Sequence, residues 1–195
     1  MTTATLTYFR GRGRAETTRW MLAAAGVSFE NVAIDTPEEL AAVRASGKLP
    51  FDQLPLLEID GHCLSQSSAM IRYLARRAGL YGASDTDAMW ADLVAGVVAD
   101  FAEAAMQAAF KPTADAAIAD LQARFAKFGP RFEARLEAQE SGYSAAASMT
   151  FADVVLCEAL SSYRLRDGVD PVAGLCLVAR DDDGSLGGAI RYWPI

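Results

Sequence analysis

The segment 55–64, PLLEIDGHCL, constrains the fold more than any other stretch of the chain. A strand from Pro55 to Ile59 runs into Asp60-Gly61, a two-residue turn signal, and Cys63 to Leu64 form the returning strand. The 54 residues before this hairpin follow a different rule. Thr5 to Trp20, TLTYFRGRGRAETTRW, starts as an alternating strand, passes Gly11 and Gly13, and becomes helical near Arg14. Ala15 to Ala25 continues that helix to a glycine stop at Gly26, and Ser28 to Ile34 alternates as a half-buried strand. The first two strands are then most simply parallel. Pro37 to Arg44 reads as a short helix, with proline and acids in its first turn. After the hairpin, Ser65 to Ser68 offer capping side chains for a helix from about Ser67 to Arg77, and Gly79 to Gly82 close the unit. The order strand, helix, strand, helix, strand, strand, helix in about 80 residues is the thioredoxin-like α/β plan.

The rest is alanine-rich and helical. Trp90, Leu93, Val94, Val97, Val98, Phe101 and Ala105 make an apolar stripe from Asp85 to Phe110. A second helix opens at Pro112, is kinked at Pro130, and carries Ile118, Leu121, Phe125, Phe128, Phe132 and Leu136. Thr150 and Asp153 have capping-box spacing ahead of an apolar run from Val154 to Leu160. Two domains result: residues 1–80, thioredoxin-like, and 85–195, all-helical.

Charge narrows the function classes. Against 25 acidic residues stand 18 Lys and Arg, a net charge of −7, so there is no basic excess to neutralise nucleic-acid phosphates or an anionic membrane. The N-terminus lacks a signal-peptide core and no run of about 18 uncharged apolar residues suggests a span, so a cytoplasmic protein is expected. Cys63, Cys157 and Cys176 show no CxxC pair and no His at metal spacing, which predicts neither disulfides nor a metal site; they are expected to be small core residues. The single histidine, His62, sits beside the hairpin turn, which disfavours a Ser-His-Asp enzyme.

Tyr8 ends the first strand beside a helix N-terminus, where a phenol can donate a hydrogen bond and freed amides favour an anion. On that stretch alone a half-buried packing tyrosine is the simpler account, because strands are rich in tyrosine. Gln53-Leu54-Pro55 and the serine-rich segment 65–68 belong to the same small unit. With YFRGRGRAE, they make the chain resemble a cytosolic glutathione transferase of the tyrosine type, closest to the alpha and sigma classes. The resemblance covers residues 4–82 without an obvious gap and extends in order into the helical half.

What the resemblance implies can be placed residue by residue. Tyr8 donates its hydroxyl hydrogen to the sulfur of bound glutathione, and Arg14 supports the thiolate, the alternative being that Arg14 only pairs with Glu16 or a distant carboxylate. Leu54, exposed by a cis Pro55, pairs its backbone with the cysteinyl part of the peptide. Gln66 and Ser67 grip the γ-glutamyl carboxylate, Gln53 adds a polar contact and Arg44 holds the glycyl carboxylate. For Ser67 the bland alternative is a simple N-cap, and for Arg44 a solvated helix end. Asp100 reaches across a homodimer interface to the partner's glutathione, and Phe51 inserts between the partner's helices. Ser68 departs from the interface arginine of alpha-class chains. Phe9, Met106, Phe110 and Tyr163 form the pocket for an apolar electrophile, although a core stripe is the simpler account of Met106, and reduction of organic hydroperoxides is a second activity open to the same thiolate. Glutathione is the co-substrate, with no metal. A glutathione-dependent isomerase of the prostaglandin-synthase type and a non-catalytic carrier of hydrophobic ligands are the alternatives. A thiol-disulfide oxidoreductase is disfavoured, since no cysteine follows the first strand. The tail DDDGSLGGAIRYWPI matches least and reads as a loop with a short last element.

Overall fold

The computed structural model describes residues 3–108 and 113–162. These fall into two compact units, divided between Gly79 and Leu80. The first unit carries strands β1 (Ala4–Phe9), β2 (Phe29–Ile34), β3 (Leu56–Ile59) and β4 (His62–Leu64) and helices α1 (Glu16–Ala24), α2 (Pro37–Ala45) and α3 (Ser67–Ala78). A short 3-10 turn, Gly13–Ala15, precedes α1. The sheet order is β2-β1-β3-β4. β1 and β2 run parallel, with Tyr8 opposite Ala33, whereas β3 is antiparallel to both β1 and β4. This is the thioredoxin-like plan expected from the sequence.

Local chemistry accounts for each boundary. α1 stops because Gly26 adopts φ +65°, its amide reaching Ala23 O while the Val27 amide reaches Leu22 O, a Schellman closure. α2 starts with a reciprocal box: the Thr36 hydroxyl accepts from the Glu39 amide, and the Glu39 carboxylate accepts from the Thr36 amide. Asp60 and Gly61, both at positive φ, form the tight β3–β4 turn. Behind the sheet α1 packs on α3, around the wholly buried Leu6, Met21, Leu22, Leu57, Met70 and Leu74. Burying each such side chain contributes about 1.5–3 kcal/mol.

The second unit consists, among the described residues, of α4 (Asp85–Ala108), α5 (Ala114–Glu137) and α6 (Phe151–Ser162), with α4 packed against both others. α4 opens with a box of its own, the Asp87 amide donating to Ser84 Oγ and the Ser84 amide to the Asp87 carboxylate. Thr113 caps α5, accepting from the Ala116 amide, and Pro130 lies inside that helix. The start of α6 is the most saturated point: the buried Asp153 carboxylate accepts from the amides of Ser144 and Thr150 and from both their hydroxyls, at 2.7–3.1 Å. Arg135 fixes the preceding loop, stacked 3.7 Å from the Trp90 ring centroid while donating to Ser144 O.

Several details depart from expectation. Leu93 does not join the α4 core; it is 51% exposed, and Ala91, Ala95 and Ala104 occupy buried positions beside Val94 and Val98. Cys63 lies exposed on the edge strand β4 and Cys157 is half-buried, so the former is not a core residue. Cys176 and the tail from 181 onward lie outside the described residues, as does Pro112. The serines at 65–68 give α3 no side-chain cap, for reasons that belong to the site.

Candidate active site

A cleft of about 580 Å³ opens in the first unit, lined by Tyr8, Phe9, Arg14, Arg44, Gln53, Leu54, Pro55, Gln66 and Ser67, and also by Leu40, Leu49 and Asp52. The sheet explains the convergence. β1 ends at Phe9 between β2 and β3, which leaves Tyr8 half-buried at its C-terminal end. The chain then reverses through Gly11 at φ +132° and Gly13 at φ +44°. Gly13 is required by contact as well as by conformation, since a Cβ there would meet Tyr8 Oη at 2.8 Å. The phenol lies against that bare backbone and its oxygen accepts a hydrogen bond from the Arg14 amide at 3.2 Å. A phenol oxygen already accepting in this way has its own O–H to donate elsewhere, and the accepted bond strengthens that donation. Glu16, the nearest acid in sequence to Arg14, has ion pairs with Arg12 and Arg19.

The opposite wall is built by the start of β3 and α3. The Leu54-Pro55 peptide bond is cis, as expected, and Leu54 precedes the hydrogen-bonded ladder that starts at Leu56. Gln66 sits at φ +67°, ψ 102°, a conformation that costs a non-glycine residue about 1–3 kcal/mol. That backbone turn puts Ser67 at the first helical position of α3 and leaves the helix with no side-chain cap. Ser65, on the other side of the turn, is buried and its hydroxyl has no partner. The expected capping role of the serines is therefore overturned: Gln66, not a serine, occupies the N-cap position, and no serine hydroxyl accepts from a first-turn amide of α3. An α-helix leaves its first amides without intrahelical acceptors, so an uncapped start lining a cleft suits a carboxylate. The Gln66 side chain is held by Gln53, Nε2 donating to Oε1 at 2.6 Å.

Arg44 lies in the last turn of α2, exposed, with Asp52 Oδ1 3.3 Å from its Nε. Phe9 is 45% exposed and packs edge-on to Tyr8, ring centroids 5.4 Å apart. The remaining expected residues belong to other parts of the chain. Asp100 is exposed and Met106 half-buried on α4 of the second unit, while Phe110 and Tyr163 lie outside the described residues. Phe51 is 71% exposed just before the cleft's Asp52. Leu40, Leu49 and Asp52 were missed from sequence; the signal available was their place flanking Arg44 and Gln53 in the chain. Among the described residues no group of three His, Cys, Asp or Glu could hold a metal, and no helix is long and apolar enough to cross a membrane.

The first unit is a thioredoxin-like sheet with a tyrosine at the end of β1, and the second, among the described residues, is helical, an arrangement shared with glutathione-binding enzymes. Models for the N-terminal and C-terminal domains of glutathione S-transferase match residues 4–76 and 96–174. Glutathione S-transferase A2 of Bos taurus is 39% identical over 158 residues, 80% of this chain and 71% of that one. A Nu-class glutathione transferase from Haemonchus contortus superposes with a TM-score of 0.72 at 34% identity, covering 88% of each chain. Monomeric Na-GST-3, from the hookworm Necator americanus, superposes with a TM-score of 0.77 at 28% identity, covering 90% of this chain and 87% of its own. The chain belongs to the glutathione S-transferase family. It is a transferase enzyme whose co-substrate is glutathione.

Proposed function

We propose that Tyr8 activates glutathione by donating its hydroxyl hydrogen to the cysteinyl sulfur, and that the resulting thiolate attacks small apolar electrophiles. The observation that carries this is the Tyr8 hydroxyl in the cleft, its oxygen already accepting from the Arg14 amide. A free thiol with pKa about 8.5 is only a few per cent thiolate near neutral pH, and a depression of roughly two units, about 2.7 kcal/mol, makes most of it nucleophilic. Arg14 adds positive charge on the same wall. The peptide lies along Leu54 and Pro55, strand-like, with Gln66, Ser67 and the amides at the start of α3 on its γ-glutamyl carboxylate and Arg44 on its glycyl end. Gln53 keeps Gln66 in place. The acceptor approaches on the Phe9 side, where an exposed ring favours apolar groups, and a hydroperoxide is a second acceptor for the same thiolate.

In this reading residues 1–80 bind glutathione and residues 85–195 supply the acceptor's surroundings and dimer contacts, in a cytoplasmic, detoxifying enzyme. The homodimer is supported by exposed apolar side chains: Phe51 in the first unit, and Met89 and Leu93 on α4. Helical spacing gives Met89, Leu93 and Asp100 one face of α4, which supports a role for Asp100 toward a partner's glutathione across that face.

Spectroscopic titration of the thiol of bound glutathione tests the mechanism. Tyr8→Phe is expected to raise the pKa of the bound thiol by about two units and to lower turnover of an aryl halide at neutral pH roughly tenfold or more. A Tyr8→Phe protein that ionises the thiol as well as wild type would sink the assignment.

A further inference from the structure

Asp52 belongs to the cleft and has no part in the mechanism above. It sits at φ +50°, a left-handed conformation that aspartate tolerates better than most residues, within a turn in which its amide contacts Leu49 O at 3.4 Å. This backbone puts its carboxylate 3.3 Å from the Arg44 guanidinium, and both side chains line the cleft. Lys48, the nearest lysine in the chain, is committed to Glu58 at 2.6 Å. A carboxylate arriving at Arg44 therefore meets a neutral ion pair instead of a bare cation.

We propose that Asp52 is a specificity-determining residue at the glycyl end of the cleft: it occupies Arg44 and competes with the C-terminal carboxylate of the thiol peptide. The inference rests on the assignment of Arg44 to that carboxylate. Two anions contending for one guanidinium bind less well than one, so the advantage of free glutathione over a peptide with a blocked C-terminus is reduced. Thiol peptides whose C-terminal carboxylate is esterified or amidated are therefore accepted with little loss. The effect is modest, because both partners are more than half exposed and solvent screens the pair.

The test compares dissociation constants of glutathione and of its glycyl ethyl ester for wild type, Asp52→Asn and Arg44→Gln. Asparagine matches aspartate in size and also tolerates positive φ, so the turn is preserved. Asp52→Asn is expected to tighten glutathione about two- to fivefold, the range of an exposed ion pair. Binding of the ester and the pKa of the bound thiol should stay unchanged, and the gain should shrink as salt is raised. Unchanged or weaker glutathione binding, or equal tightening for both ligands, overturns the proposal. Arg44→Gln separates the two assignments. If it weakens glutathione but not the ester while Asp52→Asn does nothing, the role of Asp52 alone fails. If Arg44→Gln alters neither ligand, Arg44 does not read the glycyl carboxylate and both assignments fall.

Discussion

The helix starts at the cleft and the helix starts elsewhere are built differently. α2, α4 and α5 each have a side chain accepting from an amide of the first turn, through Thr36, Ser84 and Thr113. At α6 the buried Asp153 accepts four hydrogen bonds and closes the helix end against the loop before it. The 3-10 turn leading into α1, and α3 itself, have no side-chain cap, and both lie on the cleft. At the first of these the Arg14 amide meets the Tyr8 oxygen; at the second, Gln66 is strained and Ser67 is left at the first helical position. A capped start adds about 0.5–2 kcal/mol to folding, whereas an uncapped one keeps its amides for a ligand. The contrast separates residues that hold the fold from residues proposed to bind and activate a substrate.

Asp153→Ala should give the largest effect on folding. It strands the amides and hydroxyls of Ser144 and Thr150 in a buried site, and a loss of about 3 kcal/mol or more of unfolding free energy is expected by chemical denaturation. Any residual folded protein should bind glutathione normally. Gly13→Ala comes next, because it adds a Cβ 2.8 Å from Tyr8 Oη at a positive-φ position. A stability cost of about 1–3 kcal/mol is expected, together with a raised pKa of bound thiol, because the phenol must move. Stability lost with an unshifted thiol would show that the Tyr8 position is not set by this contact. Thr36→Ala should cost about 1 kcal/mol in chemical denaturation and leave turnover alone, since its box serves α2 only. A change in the bound thiol's pKa on this substitution would blur the division between the two kinds of helix start.

Much of this was legible in the sequence. The mixed sheet followed from a parallel strand, helix, strand unit joined to an Asp60-Gly61 hairpin, and the residues expected at the glutathione-binding groove from Tyr8 to Ser67 line one cleft. The uncapped start of α3 was not legible, because Ser65, Ser67 and Ser68 are the residue types that cap helices. It is the φ of Gln66, a backbone property, that puts them out of place. The Arg44–Asp52 pair was hidden for the same reason, since it depends on the positive φ of Asp52. In α4 the error came from composition: in an alanine-rich helix alanines take buried positions, and a large residue such as Leu93 can face outward without breaking the periodicity. Asp100 and Phe51, expected to serve a partner subunit, are both exposed.

Ser67→Ala tests the contrast most directly, with two readouts on one protein. If the start of α3 is kept open for the γ-glutamyl carboxylate, ligand-free stability should stay within about 0.5 kcal/mol of wild type, because Ser67 caps nothing, while the dissociation constant for glutathione rises about five- to tenfold. A protein destabilised by about 1 kcal/mol that binds glutathione as tightly as wild type would contradict this, and would make Ser67 an ordinary helix cap.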